Sequence, residues 1–275
     1  MSKKVRRLIL YVVYILTVVA VFAPIAWMIS QSLKDPSEQF VTPPTILVFK
    51  PTLENYIKAI QSVVLRCFIN SFIVCSLTTI IAVGVSILSA YTFSREKFRG
   101  RRPLLQFIVV TQLLPLISII IPLYRIMHAL HLLDTYAALI ISFLTFTVPT
   151  AIWLLYSFIK TLPLDLEEAA QIDGCSKVGA FFRVTLPLLR PGITATAAYV
   201  FIVTWQEFLF SLTFISSPEL KPLSVGILRF IGQLGLVDWG ALMASSVLTT
   251  LPVFAMFLAL QRQIISGLTS GALKQ

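Results

Sequence analysis

From Leu8 to Ser30 the chain carries no charged side chain, and five further apolar stretches follow at about residues 68–93, 104–124, 136–159, 193–215 and 241–260. A helix needs roughly 20 apolar residues to cross the ~30 Å hydrocarbon layer of a bilayer, and backbone polar groups inside that layer must be satisfied within the chain. These runs therefore predict an all-α membrane protein with six transmembrane helices. Composition agrees: 57% of the residues are hydrophobic and 12% charged, where a soluble domain carries roughly 25% charged.

The first run follows Lys3, Lys4, Arg6 and Arg7. It is longer than the ~7–15 apolar residues of a cleaved signal peptide, so it reads as a signal anchor. Residues 1–30 form the cytoplasmic N-terminus and first span, and the proline-bearing stretch 31–66 reads as an external loop with a short helix near Leu53–Ile60. Residues 67–275 hold the other five spans. The net charge of +10 does not call for nucleic acid, because its cations lie in the loops. With the N-terminus inside, only Lys34, Lys50, Lys58, Arg66, Arg125, Lys221 and Arg229 fall outside among the 22 Lys and Arg. The positive-inside rule then places both termini in the cytoplasm, together with the dense cluster Arg95, Lys97, Arg99, Arg101 and Arg102. Pro115 and Pro122 predict a bent third span.

One interval between spans is charged and helix-patterned, 162–192. Asp165 is placed to cap a helix, with Glu168 three residues on, and Gly174 suits the left-handed turn that ends it. Ser176 can cap a second piece in which Val178, Phe181 and Phe182 share one side while Lys177 and Arg183 reach water. Leu186-Pro187 and Pro191-Gly192 then end that piece. The positive-inside assignment makes this bent pair cytoplasmic.

Bond chemistry finds no support: there is no GxxxxGK[ST] phosphate loop, HExxH or GxSxG. Cys67, Cys75 and Cys175 are odd in number and contain no CxxC, so they read as packing residues. His128 and His131 have no further His or Cys nearby, which favours a loop or interface role over a metal site.

Glu168-Ala169-Ala170, three residues, Gly174, nine residues, Val184, one residue and Leu186-Pro187 together resemble the EAA loop of the permease subunits of binding-protein-dependent ABC importers, where Ile is usual at the Val184 position. Trp205-Gln206-Glu207-Phe208-Leu209, Asn70-Ser71-Phe72 and the tail Gly267 to Lys274 further resemble maltose-type sugar permeases, the tail being more similar to the second of the two. The resemblance implies the type I permease fold, with Glu168, Ala169, Ala170, Asp173, Gly174, Val184, Leu186 and Pro187 coupling to an ATPase. It implies a homologous permease as heterodimer partner, a cytoplasmic ATPase dimer, an external substrate-binding protein and a sugar cargo. No cofactor would be bound by this chain; ATP and Mg would be used by the ATPase. The protein would lie in the inner cell membrane among its lipids and would not itself be an enzyme.

A carboxylate inside a span costs ~2.5–3.5 kcal/mol on insertion scales, so Glu207 must face the protein or a water-filled cavity. It serves either as a polar contact on the path or gate, with Trp205, Gln206, Asn70 and Ser246, or as a hydrogen bond tying the fifth span to its neighbours. By the resemblance, the outer loop 216–240 with Asp238 and Trp239 would meet the binding protein, and the tail after Arg262 would meet the ATPase. The alternatives are a polyol or glycerol phosphate as cargo, or an ion-coupled secondary transporter using Glu207.

Overall fold

The computed structural model describes the backbone of residues 3–39, 48, 50–232 and 237–272, and the side chains of those between Lys4 and Gln261. Among the described residues the regular structure is helical, with two isolated bridges and no strand, joined by turns and short loops. Its main elements are α1 (Lys3–Leu33), α2 (Leu65–Arg95), α3 (Arg101–Leu113), α4 (Leu116–Ala129), α5 (Tyr136–Thr161), α6 (Asp165–Ile172), α7 (Lys177–Leu188), α8 (Arg190–Trp205), α9 (Leu209–Phe214) and α10 (Trp239–Ala272). Among the described residues four helices are long and apolar enough to cross a membrane, and the number rises to six if the bent pairs α3/α4 and α7/α8 each count as one span.

Two of the six expected spans are interrupted. The third breaks at Leu114-Pro115, where α3 and α4 meet at 100°. Pro115 has no N–H to continue the ladder and turns extended, as does Leu114 before it. The other break alters the expected fifth span: its helix begins at Arg190 and stops at Trp205, with α9 resuming at Leu209. Pro191-Gly192 therefore opens a helix instead of closing the preceding piece. Proline at a first helical turn forfeits no bond, and Gly192 is needed because a β-carbon there would stand 2.6 Å from Cγ of Phe158 on α5.

The chain forms two compact units. One comprises residues 1–66 with 226–252. In it α1 is exposed from Lys4 to Trp27, and its last turn is held by Asn55, whose Nδ2 donates to the carbonyls of Ser32 (3.0 Å) and Lys34 (2.8 Å). Asn55 belongs to the short helix Glu54–Ala59, within the stretch expected from sequence. The other unit comprises residues 67–225 with 253–275. Its core joins α2, α4, α5 and α9 through Val74, Leu123, Met127, Leu139, Phe143, Phe210 and Phe214. At one end of α2, Asn70 donates to the carbonyls of Glu219 (2.8 Å) and Lys221 (3.0 Å) and accepts from the Tyr136 hydroxyl (2.7 Å). Nearby, Ser71 Oγ accepts from the Leu223 amide. At the other end, Arg95 and Glu96 hold α6 and α7.

Candidate functional site

The segment 162–192 folds as a two-part elbow. The residue before α6 is Leu164, with no side-chain cap, and Asp165 lies inside the first turn with Glu167 and Glu168. Asp165 is thus not the cap that its sequence position suggested, although all three acids sit at the positive end of the helix. The far end closes as expected. Gly174 has φ +92, the Cys175 amide donates to Ala170 O (2.9 Å) and the Gly174 amide to Gln171 O (3.1 Å). This Schellman closure requires a residue that tolerates positive φ. Beyond it Ser176 caps α7, its Oγ accepting from the Gly179 amide at 3.1 Å.

What anchors the elbow is Glu167, not the neighbouring Glu168. Its side chain is 5% exposed; Oε1 accepts from Arg95 Nε at 2.7 Å and Oε2 from the Tyr91 hydroxyl at 2.9 Å. Arg95 also donates from Nη2 to Leu162 O (3.0 Å). The Tyr91 ring meets Phe181 edge-on at 4.6 Å, so one residue of α2 holds both arms. A second tie is Lys177 Nζ to Glu96 Oε1 at 2.6 Å. A buried ion pair has to offset the desolvation of both charges, and the extra hydrogen bonds from Tyr91 and to Leu162 supply part of that.

With these residues turned inward, the elbow presents the others. Glu168, Ala169, Asp173, Gly174 and Pro187 are exposed, and Ala170, Val184 and Leu186 half-buried. Around them stand Ile172 (86% exposed), Val178 (65%) and Phe182 (56%). Lone exposed apolar residues need no explanation, but several on one projecting elbow form a surface suited to a partner's groove.

The break after α8 is built differently. Trp205 is buried, stacked on Phe201 and edge-on to Phe68, each at 5.5 Å. Gln206 is exposed. The carboxylate of Glu207 turns onto the start of α9: Oε1 accepts from the Phe210 amide (2.8 Å), and Oε2 from the Ser211 amide (3.1 Å) and hydroxyl (3.0 Å). Its carbonyl accepts from Ser224 Oγ at 2.6 Å. The acid thus satisfies backbone groups that a broken helix leaves open, which is why the expected fifth span can be interrupted there.

Other residues singled out from the sequence have local surroundings of their own. Ser246 Oγ donates to Leu242 O within α10. Asp238 Oδ1 accepts from the Ala241 amide (3.0 Å) at the start of α10, and Trp239 beside it is exposed. Trp239 lines a cavity of about 300 Å³ with Trp27, Gln31, Lys34, Glu38, Gln39 and Met243. His128 and His131 are exposed. Positions 233–236 of the loop 216–240, and the side chains of the tail after Arg262, lie outside the described residues. Sequence reasoning missed Tyr91, Arg95 as an anchor, and Glu167; their one signal was an acid on the helix face that also carries Ala170 and Gln171, opposite a cation closing a span.

Residues 82–270 match a family model described as binding-protein-dependent transport system inner membrane component. The chain is 37% identical over 273 residues to the trehalose/maltose transport system permease protein MalG of Thermococcus litoralis, covering 98% of this chain and 97% of that protein. It is 38% identical over 252 residues to the sulfoquinovosyl glycerol transport system permease protein SmoH of Agrobacterium fabrum, covering 91% and 88%. Its fold is similar to a chain of a bacterial ABC transporter involved in the import of the acidic polysaccharide alginate, with a TM-score of 0.81 at 19% identity over 95% and 98% of the two chains.

Proposed function

The chain belongs to the family of binding-protein-dependent transport system inner membrane components, and on that premise we propose that it is the permease subunit of an ATP-driven importer for a sugar or oligosaccharide handed over by an external binding protein. The observation that carries this reading is the elbow. Two short helices joined through Gly174 present Ile172, Val178 and Phe182 outward while Glu167 is locked to Arg95. A surface so displayed and so anchored transmits force between a moving partner and the spans. The chain has one elbow, so a two-fold ATPase pair calls for a second, homologous permease. ATP and Mg are used by the ATPase.

The orientation rests on two lines. Charge counting places 95–102 and 162–192 in the cytoplasm, and these segments meet each other through Arg95–Glu167 and Glu96–Lys177. Segments assigned outside meet at the other end of α2, where Asn70 binds the carbonyls of Glu219 and Lys221. Both termini are then cytoplasmic, and loop 216–240 with Asp238 and Trp239 faces the binding protein. A sugar cargo is supported by the names of the relatives, which are permeases for trehalose/maltose and for sulfoquinovosyl glycerol. Against the ion-coupled alternative stands the Glu207 carboxylate, whose acceptors are engaged by Phe210 and Ser211. In this reading Gln206, exposed at the break, is the group of its motif that is free to meet cargo.

The test is a tagged pull-down from native membranes with the wild type and Gly174→Asp, a replacement that must adopt φ +92. An ATPase recovered with the wild type and lost or uncoupled in the variant is expected. Absence of any ATPase with the wild type in mild detergent overturns the proposal.

A further inference from the structure

Between the end of α2 and the start of α3 the chain encloses an open hollow of about 560 Å³ lined by Lys97, Phe98, Arg99, Gly100, Arg101, Arg102 and Pro103. Its cations are not equivalent. Arg101 is folded back onto the loop, Nη1 donating to Glu96 O (3.2 Å) and Nη2 to Ser94 O (3.5 Å). Glu96, the acid of this loop, is taken by Lys177. Among the described residues no carboxylate pairs with Lys97, Arg99 or Arg102. Phe98 leans on Phe93 at 5.9 Å, which fixes the turn and leaves these three side chains around one concavity.

The hollow joins the ends of two expected spans, which charge counting puts at the cytoplasmic membrane surface, and α3 continues from it with Leu104 (48% exposed) and Phe107 (65%) one turn apart. A concave set of unneutralised cations, directly followed by an apolar face that points away from the bundle, fits a molecule with an anionic head and hydrocarbon tails. We propose that the loop 97–103 binds the phosphate of an anionic phospholipid of the cytoplasmic leaflet, its acyl chains lying along Leu104 and Phe107. Juxtamembrane cations attract such headgroups by roughly 1 kcal/mol each, or about fivefold in affinity. The bound lipid orders the loop, and Glu96 passes that order to the elbow through Lys177. This second step rests on the elbow being the ATPase-coupling element.

The lipid site is tested on the purified full chain by native mass spectrometry in micelles doped with phosphatidylglycerol or phosphatidylcholine. The wild type is expected to retain phosphatidylglycerol selectively. Lys97→Gln, Arg99→Gln and Arg102→Gln should each weaken retention about fivefold, and the triple variant by well over about tenfold. The charge-conserving set Lys97→Arg, Arg99→Lys, Arg102→Lys should behave as wild type. Equal retention of both lipids by the wild type, or unchanged retention in the single variants, overturns the site. The regulatory step is read in the reconstituted complex, in phosphatidylcholine vesicles with or without phosphatidylglycerol. ATPase activity should rise with the anionic lipid in the wild type and not in the triple variant. An intact lipid site with no such rise removes the link to the elbow. A chain that retains the lipid yet recruits no ATPase removes the proposed function instead, and leaves the site standing.

Discussion

Arg95 Nε and Glu167 Oε1 stand 2.7 Å apart, with the side chains only 10% and 5% exposed. They join the end of α2 to the first arm of the elbow. Removing one partner of a buried pair leaves an uncompensated charge, at a cost of about 3–5 kcal/mol. Glu167→Gln is therefore expected to loosen the elbow and lower the denaturation temperature of the purified chain. Glu168→Gln, one residue on and exposed, should change stability by no more than about 0.5 kcal/mol. Thermal unfolding of both variants side by side checks this, and equal behaviour would show that the pair is not the anchor.

Gly192 offers a second test of packing. Its missing β-carbon would meet Phe158 Cγ at 2.6 Å and Cδ2 at 2.9 Å. The obstacle is the base of a ring, which cannot swing aside as a flexible chain end can. Gly192→Ala should cost about 1–3 kcal/mol by overpacking. Combining it with Phe158→Ala should remove part of that cost. A double-mutant cycle in detergent measures the coupling, and purely additive effects would contradict the close approach of α8 to α5.

The turn before α5 carries a pH-sensitive contact. Asp134, at φ +61, accepts from the amides of Ser216 (3.0 Å) and Ser217 (2.9 Å) and from the Ser217 hydroxyl. The Ser217 hydroxyl first, then the Ser217 and Ser216 amides, hold its pKa below the usual 3.8. A group with a lowered folded pKa contributes stability above its unfolded value and loses it as pH falls through the folded one. The loop beginning at Ser216 should thus stay latched at neutral pH and be released only below about 3.8. Asp134→Asn, which tolerates the left-handed backbone but carries no charge, should loosen it at neutral pH and remove the pH dependence. Hydrogen exchange of Ser216 and Ser217 between pH 7 and 3 (about four decades in proton activity) reads both effects. Protection independent of the substitution would refute the latch.

Much of this architecture is written in local pattern. Six apolar runs, the turn at Gly174 and the cap at Ser176 each follow from residues adjacent in sequence, and the cation distribution separates the loops into two sets. What could not be read is largely non-local. Arg95 and Glu167 are 72 positions apart, and nothing in Asp-Leu-Glu-Glu says which acid turns inward, so attention fell on Glu168. The break at Gln206 was hidden for a different reason, since the contacts that build it span only three and four residues. A largely apolar run reads as one helix until Glu207 is seen to cap the next, and the acid alone does not tell a cap from a contact on the path. Pro115 did announce a bend; its 100° depends on how α3 and α4 pack on α5.

Glu207 yields the sharpest separation of roles. Its carboxylate takes three hydrogen bonds from Phe210 and Ser211, and glutamine can offer only one acceptor oxygen to the same donors. Losing a cap costs about 0.5–2 kcal/mol in water, and amides left open at membrane depth cost more. Glu207→Gln should accordingly weaken α9, exposing a cysteine placed at Leu212 to faster thiol labelling, and should reduce the amount of assembled complex together with transport. An ion-coupling acid predicts another pattern: full assembly, unchanged labelling, and uptake that no longer responds to an imposed proton gradient. Labelling rate, complex yield and gradient response, measured on one set of membranes, decide between a residue that builds the break in the span and one that carries charge through it.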